Sequence, residues 1–518
     1  MSTAAERAVV SPRQAWKAMS ALILGFFMIL IDTTIVTTAL PALMKDLQAD
    51  LNAGVWVTSA YLLAYAVPLL VAGRLGDRFG PKNIYVIGLV IFTLASLACG
   101  LSPTIGWLIA MRAVQGLGAA LLTPQSMTMI TRMFPPERRG APMALWGATS
   151  GVATLVGPLL GGVLVDGAGW EWIFYVNLPV GVLCLILVLA WVPQLPTASH
   201  SFDLLGVALS GVGLFLLVFG IQQGEGHEWG VIWEPWQGVG LTAWQFIAAG
   251  LVLLAVFVFW QAKNPKEPLL PLHLFSTRNF SLANVAMLFM GVAITTFALP
   301  VVLYLQTVRG FSPTEAALTM APMSLAGIIL APFIGRKISV IDPKRLAVPG
   351  FFLFSVGMFW MAWLVGHQST LWELLLASAV MGLGTAAIFP SVSFTATRDL
   401  RPAEAGAGSG VFNTTRQIGA VIGSALIALV MQAAITAQIK DATASLPAGA
   451  AAGASSEAGA SSGGGSVPEF LHAAFATAYG ESVLLPACAA LAGCLVALCF
   501  KPRASAAREA AVREEAAA

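Results

Sequence analysis

Along most of its length the chain runs in long apolar blocks separated by short polar connections, and apolar and polar residues do not alternate at strand spacing. A block of about 20 apolar residues crosses the ~30 Å of hydrocarbon in a bilayer as a helix. Fourteen blocks reach that scale: residues 18–40, 54–74, 83–101, 104–130, 141–165, 173–192, 204–221, 242–262, 280–306, 314–335, 346–366, 371–391, 408–436 and 480–500. All are predicted to be helices, because lipid offers backbone N–H and C=O groups no partner outside their own segment. The predicted fold class is therefore an all-α membrane protein with 14 transmembrane helices.

The positions of the basic residues test this count. With the N-terminus in the cytoplasm and strict alternation, 22 of the 27 Lys and Arg fall on inside segments and three, Lys45, Arg309 and Lys440, outside. The remaining two, Arg112 and Arg416, lie within spans. Such an excess of inside cations is what sets the orientation of multi-pass proteins, so both termini are expected in the cytoplasm. The connection Val192 to Asp203 carries neither Lys nor Arg. Met1 to Trp16 is polar and basic, and the apolar run after it leads into Asp32 without a small-residue cleavage site, so it is the first span and not a signal peptide.

Composition agrees with the pattern. Charged residues make up 10% of the 518, too few to cover a soluble domain, and a net charge of +2 argues for no nucleic-acid partner. The five cysteines, Cys99, Cys184, Cys488, Cys494 and Cys499, lie in apolar blocks without a CxxC pair. They read as small packing residues, and neither a disulfide framework nor a metal site is expected.

The chain repeats itself once. Gly116-Leu117-Gly118 with Pro124 recurs as Gly382-Leu383-Gly384 with Pro390, and at the same offset of 266 Pro136 meets Pro402, Gly140 meets Gly406 and Gly157 meets Gly423. Gly73 with Pro81-Lys82 meets Gly335 with Pro343-Lys344 at a neighbouring offset of 262. The division that follows is an N-terminal tail (1–17), a six-helix bundle (18–192), a loop with two inserted helices (193–265), a second six-helix bundle (266–500) and a C-terminal tail (501–518). Within the second bundle, residues 437–475 include an outside linker rich in Ala, Gly and Ser that is expected to be disordered. Two parallel copies around a midplane site point to a carrier that rocks between two open states.

Asp32 is the most informative residue. It sits deep in an apolar run, 15 residues from Lys17, which is about 22 Å of helix. Carboxylates inside a membrane are costly and mark ion or proton pathways, so Asp32 reads as a proton carrier or cation site, against the alternative of an ion pair that only fixes helix packing. Arg112 lies at a matching depth on the fourth span and is its natural partner. Desolvation favours the neutral acid and a nearby cation the charged one, and the balance between them is what a moving cavity can shift. Gln115 follows one turn later.

Gly73-Arg74-Leu75-Gly76-Asp77-Arg78-Phe79-Gly80-Pro81-Lys82 reads as a tight inside turn, with Gly73, Asp77, Arg78 and Lys82 as a conformational latch. Ser339 stands at the Asp77 position of the second copy, so the latch is expected on one side only. Gly151, Gly157, Pro158, Gly161 and Gly162 give the fifth span small residues for close packing and a kink, either as ordinary tight packing or as a hinge or proton seal. Asn413, Arg416 and Gln417 form a polar patch in the thirteenth span that either lines a cavity or bonds to a neighbouring helix. Gln115 and Gln306 are further cavity candidates, and Asn177 and Asn284 weaker ones.

Together these residues resemble the fourteen-helix drug:proton antiporter branch of the major facilitator superfamily. The likeness runs from roughly Lys17 to Phe500. It rests on the loop Gly73 to Lys82, on Arg112 with Gln115-Gly116, on Gly151 to Gly162, and on Asp32-Thr33-Thr34-Ile35-Val36 leading to Ala39-Leu40-Pro41, where Thr37 replaces the usual Asn. Trp170-Glu171-Trp172-Ile173-Phe174 with Asn177, Pro179 and Gly181 also matches, with Glu171 in place of a common Arg. The resemblance implies the major facilitator fold, a bacterial cytoplasmic membrane, and export of small hydrophobic or weakly cationic compounds in exchange for protons. Further acids often found in the cavity of cation exporters are missing from the tenth and thirteenth spans. The expected partners are a small-molecule substrate, protons and the lipid bilayer, for a chain acting as a monomer and not as an enzyme, with the proton gradient as its energy source and no cofactor. A dedicated exporter of a metabolite, lipid or siderophore-like product is the alternative, and a non-transporting sensor or scaffold a more distant one.

Overall fold

A computed structural model describes residues 11–134, 140–195, 197, 203–224, 227–236, 239–264, 268–337, 341–367, 369–400, 405–443 and 469–502. Most of the predicted linker (444–468), Ser339, the C-terminal tail from 503 and residues 1–10 lie outside the described residues.

The helices are α1 (Pro12–Asp46), α2 (Leu51–Ala66), α3 (Leu69–Phe79), α4 (Pro81–Gly100), α5 (Ile105–Met133), α6 (Gly140–Ala168), α7 (Trp172–Tyr175), α8 (Asn177–Trp191), α9 (Leu204–Gly224), α10 (Ala243–Lys263), α11 (Arg278–Leu303), α12 (Pro313–Lys337), α13 (Pro343–Val365), α14 (Leu371–Thr397), α15 (Ala405–Thr443) and α16 (His472–Leu498). Every predicted block falls on helix. Among the described residues twelve helices are long and apolar enough to cross a membrane, or thirteen if the bent pair α2–α3 is one span. The fifth block, in α6, qualifies only as the shorter apolar stretch Val152–Ala168, so the expected count of 14 is met in position but not fully in length.

Several boundaries differ from expectation for local reasons. Helix α1 starts at Pro12, where the Ser11 side chain accepts from the Gln14 N–H at 3.3 Å and proline occupies the first turn. Helix α15 runs to Thr443 and α16 begins at His472, so 437–443 and 472–475 are helical and not linker. The second block is broken by 50° between α2 and α3, where Pro68 has no N–H to donate. Gly80 joins α3 to α4 at φ +90°, a conformation that other residues rarely adopt.

Side-chain packing divides the spans into two bundles with the same neighbours. In the first, α1 packs on α6 and α8, α2 on α5, and α4 on α5 and α8; in the second, α11 packs on α15 and α16, α12 on α14, and α13 on α14 and α16. The bundles meet where α6 lies against α12 and α2 against α15. The inserted α9–α10 hairpin leans on α15 and α2 from the rim. Only 17% of the apolar window of α10 is buried, against 61% in α1. Leu94, Ile186, Val252, Phe259 and Phe352 are among many large apolar side chains left exposed, a surface suited to lipid.

Between α9 and α10 a small antiparallel hairpin, β1 (Val231–Trp236) and β2 (Val239–Thr242), pairs Val231 with Thr242 and Trp233 with Leu241. Trp229 stacks on Trp244 with ring centroids 4.8 Å apart, and Trp233 and Trp244 are exposed. Tryptophan of this kind favours the membrane–water interface.

Candidate functional site

Five elements of the first bundle converge on Asp32. The carboxylate accepts from Arg112 Nη1 at 2.7 Å, Gln115 Nε2 at 2.8 Å and Asn177 Nδ2 at 2.9 Å. Arg112 and Gln115 are one turn apart on α5 and so share a face. Arg112 Nη1 also donates to Gln115 Oε1 at 2.6 Å, and its Nε reaches the Val57 carbonyl of α2 at 3.3 Å. The guanidinium lies over the Tyr61 ring at 4.1 Å and near the Phe174 ring at 5.8 Å. Asn177 bonds to Ser96 of α4 at 3.0 Å, and Ser96 donates to the Phe174 carbonyl at 2.9 Å. Asp32 is 0% exposed and Arg112 1%. Every donor aimed at the acid is thus itself fixed, as a charge out of water requires.

The turn between α7 and α8 closes this cluster, and Trp170 ties it to the end of α1 through a 2.8 Å bond from Nε1 to Asp46 Oδ2. Gln115, expected both beside the Asp32–Arg112 pair and as a cavity candidate, donates to Asp32 and is fully buried. Asn177 joins it too, and Tyr61 and Ser96 are members that sequence reasoning missed. No spacing marks them; an aromatic ring beneath an intramembrane arginine is the one signal that was available for Tyr61.

The Gly73 to Lys82 segment, expected as a tight turn, is helical as far as Phe79 and turns only at Gly80, and it packs on the end of α5. Asp77 pairs with Arg132, Arg78 lies 5.5 Å from the Phe79 ring centroid, and Gly73 approaches Pro124. Lys82 donates to the Leu189 and Val192 carbonyls at 3.0 and 2.7 Å, capping the C-terminus of α8. The segment reaches the chain entering the second bundle through Arg74 of α3, which donates to the Pro268 carbonyl at 2.7 Å.

In α6 the glycines face two ways. A Cβ on Gly157 would stand 1.9 Å from Thr34 Oγ1 of α1, one on Gly161 2.7 Å from Ile35 Cγ1, and one on Gly162 2.6 Å from the Thr314 Cα of α12. Pro158 lies inside this helix, and the side-chain surroundings of Gly151 lie outside what the structure describes. Asp166 accepts from the Thr314 N–H at 3.1 Å and Gln306 Nε2 donates to the Thr38 carbonyl at 3.1 Å, so the bundles touch at this end. Asn413 bonds within its own helix to the Ser409 carbonyl at 3.0 Å, Asn284 likewise to Phe280 at 2.8 Å, and Gln417 is buried.

At the base of the inserted hairpin a second buried acid appears that the sequence did not flag. Asp203 accepts from Gln261 Nε2 at 2.6 Å, Trp260 Nε1 at 2.8 Å and the Gly206 N–H at 2.9 Å. Burial pushes its carboxyl up, but these donors outweigh burial and hold it below the ordinary carboxylate range.

Two pseudo-repeated six-helix bundles with a buried ion pair in one and polar contacts across the seam define a multi-pass membrane transporter. The chain belongs to the Major Facilitator Superfamily, whose family model matches residues 22–424. It is 48% identical over 502 residues to an uncharacterized MFS-type transporter of Mycobacterium tuberculosis, covering 96% of this chain and 83% of that one. It is 32% identical over 440 residues to the tetracenomycin C resistance and export protein of Streptomyces glaucescens, covering 83% and 79%. Among solved structures it is similar to a bacterial homologue of the human lysosomal transporter Spinster in an inward-facing, unoccupied conformation, with a TM-score of 0.62 at 17% identity over 95% of this chain and 98% of that one.

Proposed function

We propose that this protein exports small hydrophobic compounds from a bacterial cell in exchange for protons, as a monomer in the cytoplasmic membrane with both termini inside. The observation that carries the reading is Asp32, a carboxylate sealed in the apolar core and bonded to Arg112, Gln115 and Asn177. Protonation of Asp32 would release Arg112 from its strongest partner and leave the guanidinium free to rebond. Such a change in a packed bundle biases one arrangement of helices over another, which is how proton binding couples to the seam between bundles. Kinship to a protein named for resistance and export supports outward transport. The cationic part of the sequence expectation gains no support from the site, because its acid is already bonded to an arginine. A dedicated metabolite exporter uses the same machinery and differs only in cargo.

In inverted vesicles with an imposed pH gradient, a fluorescent hydrophobic probe should accumulate in a manner abolished by a protonophore. Asp32→Asn should lose this gradient-dependent uptake at least about tenfold while remaining folded. Unchanged uptake in that variant would remove Asp32 from the mechanism, and uptake that persists without a gradient would point to another source of energy.

A further inference from the structure

The proton pair leaves one intramembrane cation unused. Arg416 lies on α15, which packs on α2 across the seam between the bundles, and its electrostatic neighbour there is Tyr65. Its Nε is buried without a hydrogen-bond partner. Among the described residues no carboxylate pairs with it. Thr414 Oγ1, two residues earlier, is also buried and unpartnered, and Gln417 is buried beside it. Arg416 itself is half-buried, and an intramembrane guanidinium without a counter-charge is costly and is kept where something else supplies that charge. Among the described residues no side chain supplies it, and Asp32 is bonded to Arg112. The best match to a guanidinium fork is a planar or tetrahedral oxyanion.

A short aromatic line joins this cation to the proton site. Tyr65 lies 6.0 Å from Tyr61 between ring centroids, and Tyr61 lies 4.1 Å beneath Arg112. Tyr65 donates from its hydroxyl to Thr123 at 3.0 Å, which holds the ring in place.

We propose that Arg416 seats an acidic group of the transported molecule, so that the cargo is an amphipathic organic anion, a carboxylate or sulfonate on an apolar aromatic body. The assignment rests on the export reading above and names its substrate class. The negative group neutralises Arg416 while the apolar body lies against the α2–α15 seam. Tyr65 and Tyr61 then carry the change in packing toward Arg112.

The test uses full-length protein in lipid nanodiscs and calorimetric titration with two probes of one ring and opposite charge, a naphthalenesulfonate and a naphthyltrimethylammonium, with empty nanodiscs as the blank. Wild-type protein should bind the sulfonate at least about tenfold more tightly, and Arg416→Gln should lose that preference. Equal binding of the two probes by wild type, or a sulfonate preference that survives in monodisperse Arg416→Gln, overturns the assignment. If Arg416→Gln does not yield monodisperse protein, Arg416→Lys decides: its sulfonate affinity should fall while its ammonium affinity stays, and an unchanged sulfonate affinity overturns the assignment. Binding is read without a gradient, so failure here leaves proton-coupled export standing, and failure of Asp32→Asn to lose transport leaves this result standing.

Discussion

Asp32 and Arg112 form a fully buried ion pair in the first bundle. Removing one partner of a buried pair strands the other charge, at a cost of about 3–5 kcal/mol. Arg112→Ala and Asp32→Asn should therefore each lower the thermal midpoint of the purified protein, and the double variant Asp32→Asn with Arg112→Gln should recover most of the loss. A double variant no more stable than Arg112→Ala alone would mean that the pair's charge is not what the bundle depends on. Much of this site was legible in the sequence, because helical rise converts residue counts from Lys17 and Thr104 into depths, and Asp32 and Arg112 came out nearly level. Tyr61 and Ser96 were not legible, since which face of α2 or α4 turns toward α1 depends on packing and carries no polar signature of its own.

Among the elements, the inserted α9–α10 pair has its own anchor. Asp203 draws Gln261, Trp260 and the Gly206 N–H together, and Gln261 accepts from the Leu270 N–H at 3.1 Å, which ties the hairpin to the strand of chain entering the second bundle. A carboxyl held below its ordinary range contributes stability above that range and loses it as pH falls through its folded value. The protection factor of the Gly206 amide should thus be high at pH 7 and fall on acidification below about pH 4, and Asp203→Asn should flatten that dependence. A wild-type protection factor equal at pH 7 and below pH 4 would count against the anchor. The helix positions were readable from apolar runs alone. The anchor was not, because Asp203 stands at the edge of its span, where acids are commonplace, and its donors come from the far end of α10.

For the whole molecule, the bundles meet along α6 with α12 and α2 with α15, and at one end Asp166 reaches Thr314 and Gln306 reaches Thr38. If the bundles rock, this end must part. Asp166→Cys with Thr314→Cys, in a background where the exposed Cys488 and Cys499 are serine, should form a cross-link that stops transport and is reversed by reductant. Full transport by the cross-linked protein would show that this end does not open. Gly162 marks the same seam from within α6, since a Cβ there would collide with Thr314 of α12.

The sequence by itself determined that the chain crosses a membrane many times, that it is built of two related halves, and that one acid and two arginines stand within apolar spans. These follow from run length, repetition and depth, which are properties of the chain taken one segment at a time. Tertiary structure alone decided that Arg416 has no carboxylate partner among the described residues, that Asn177, Tyr61 and Ser96 serve the acid and its arginine, and that α6 touches both α1 and α12. A pairing depends on the rotation and approach of separate helices, and an apolar helix surface carries little in its sequence to say which of its faces will meet which neighbour.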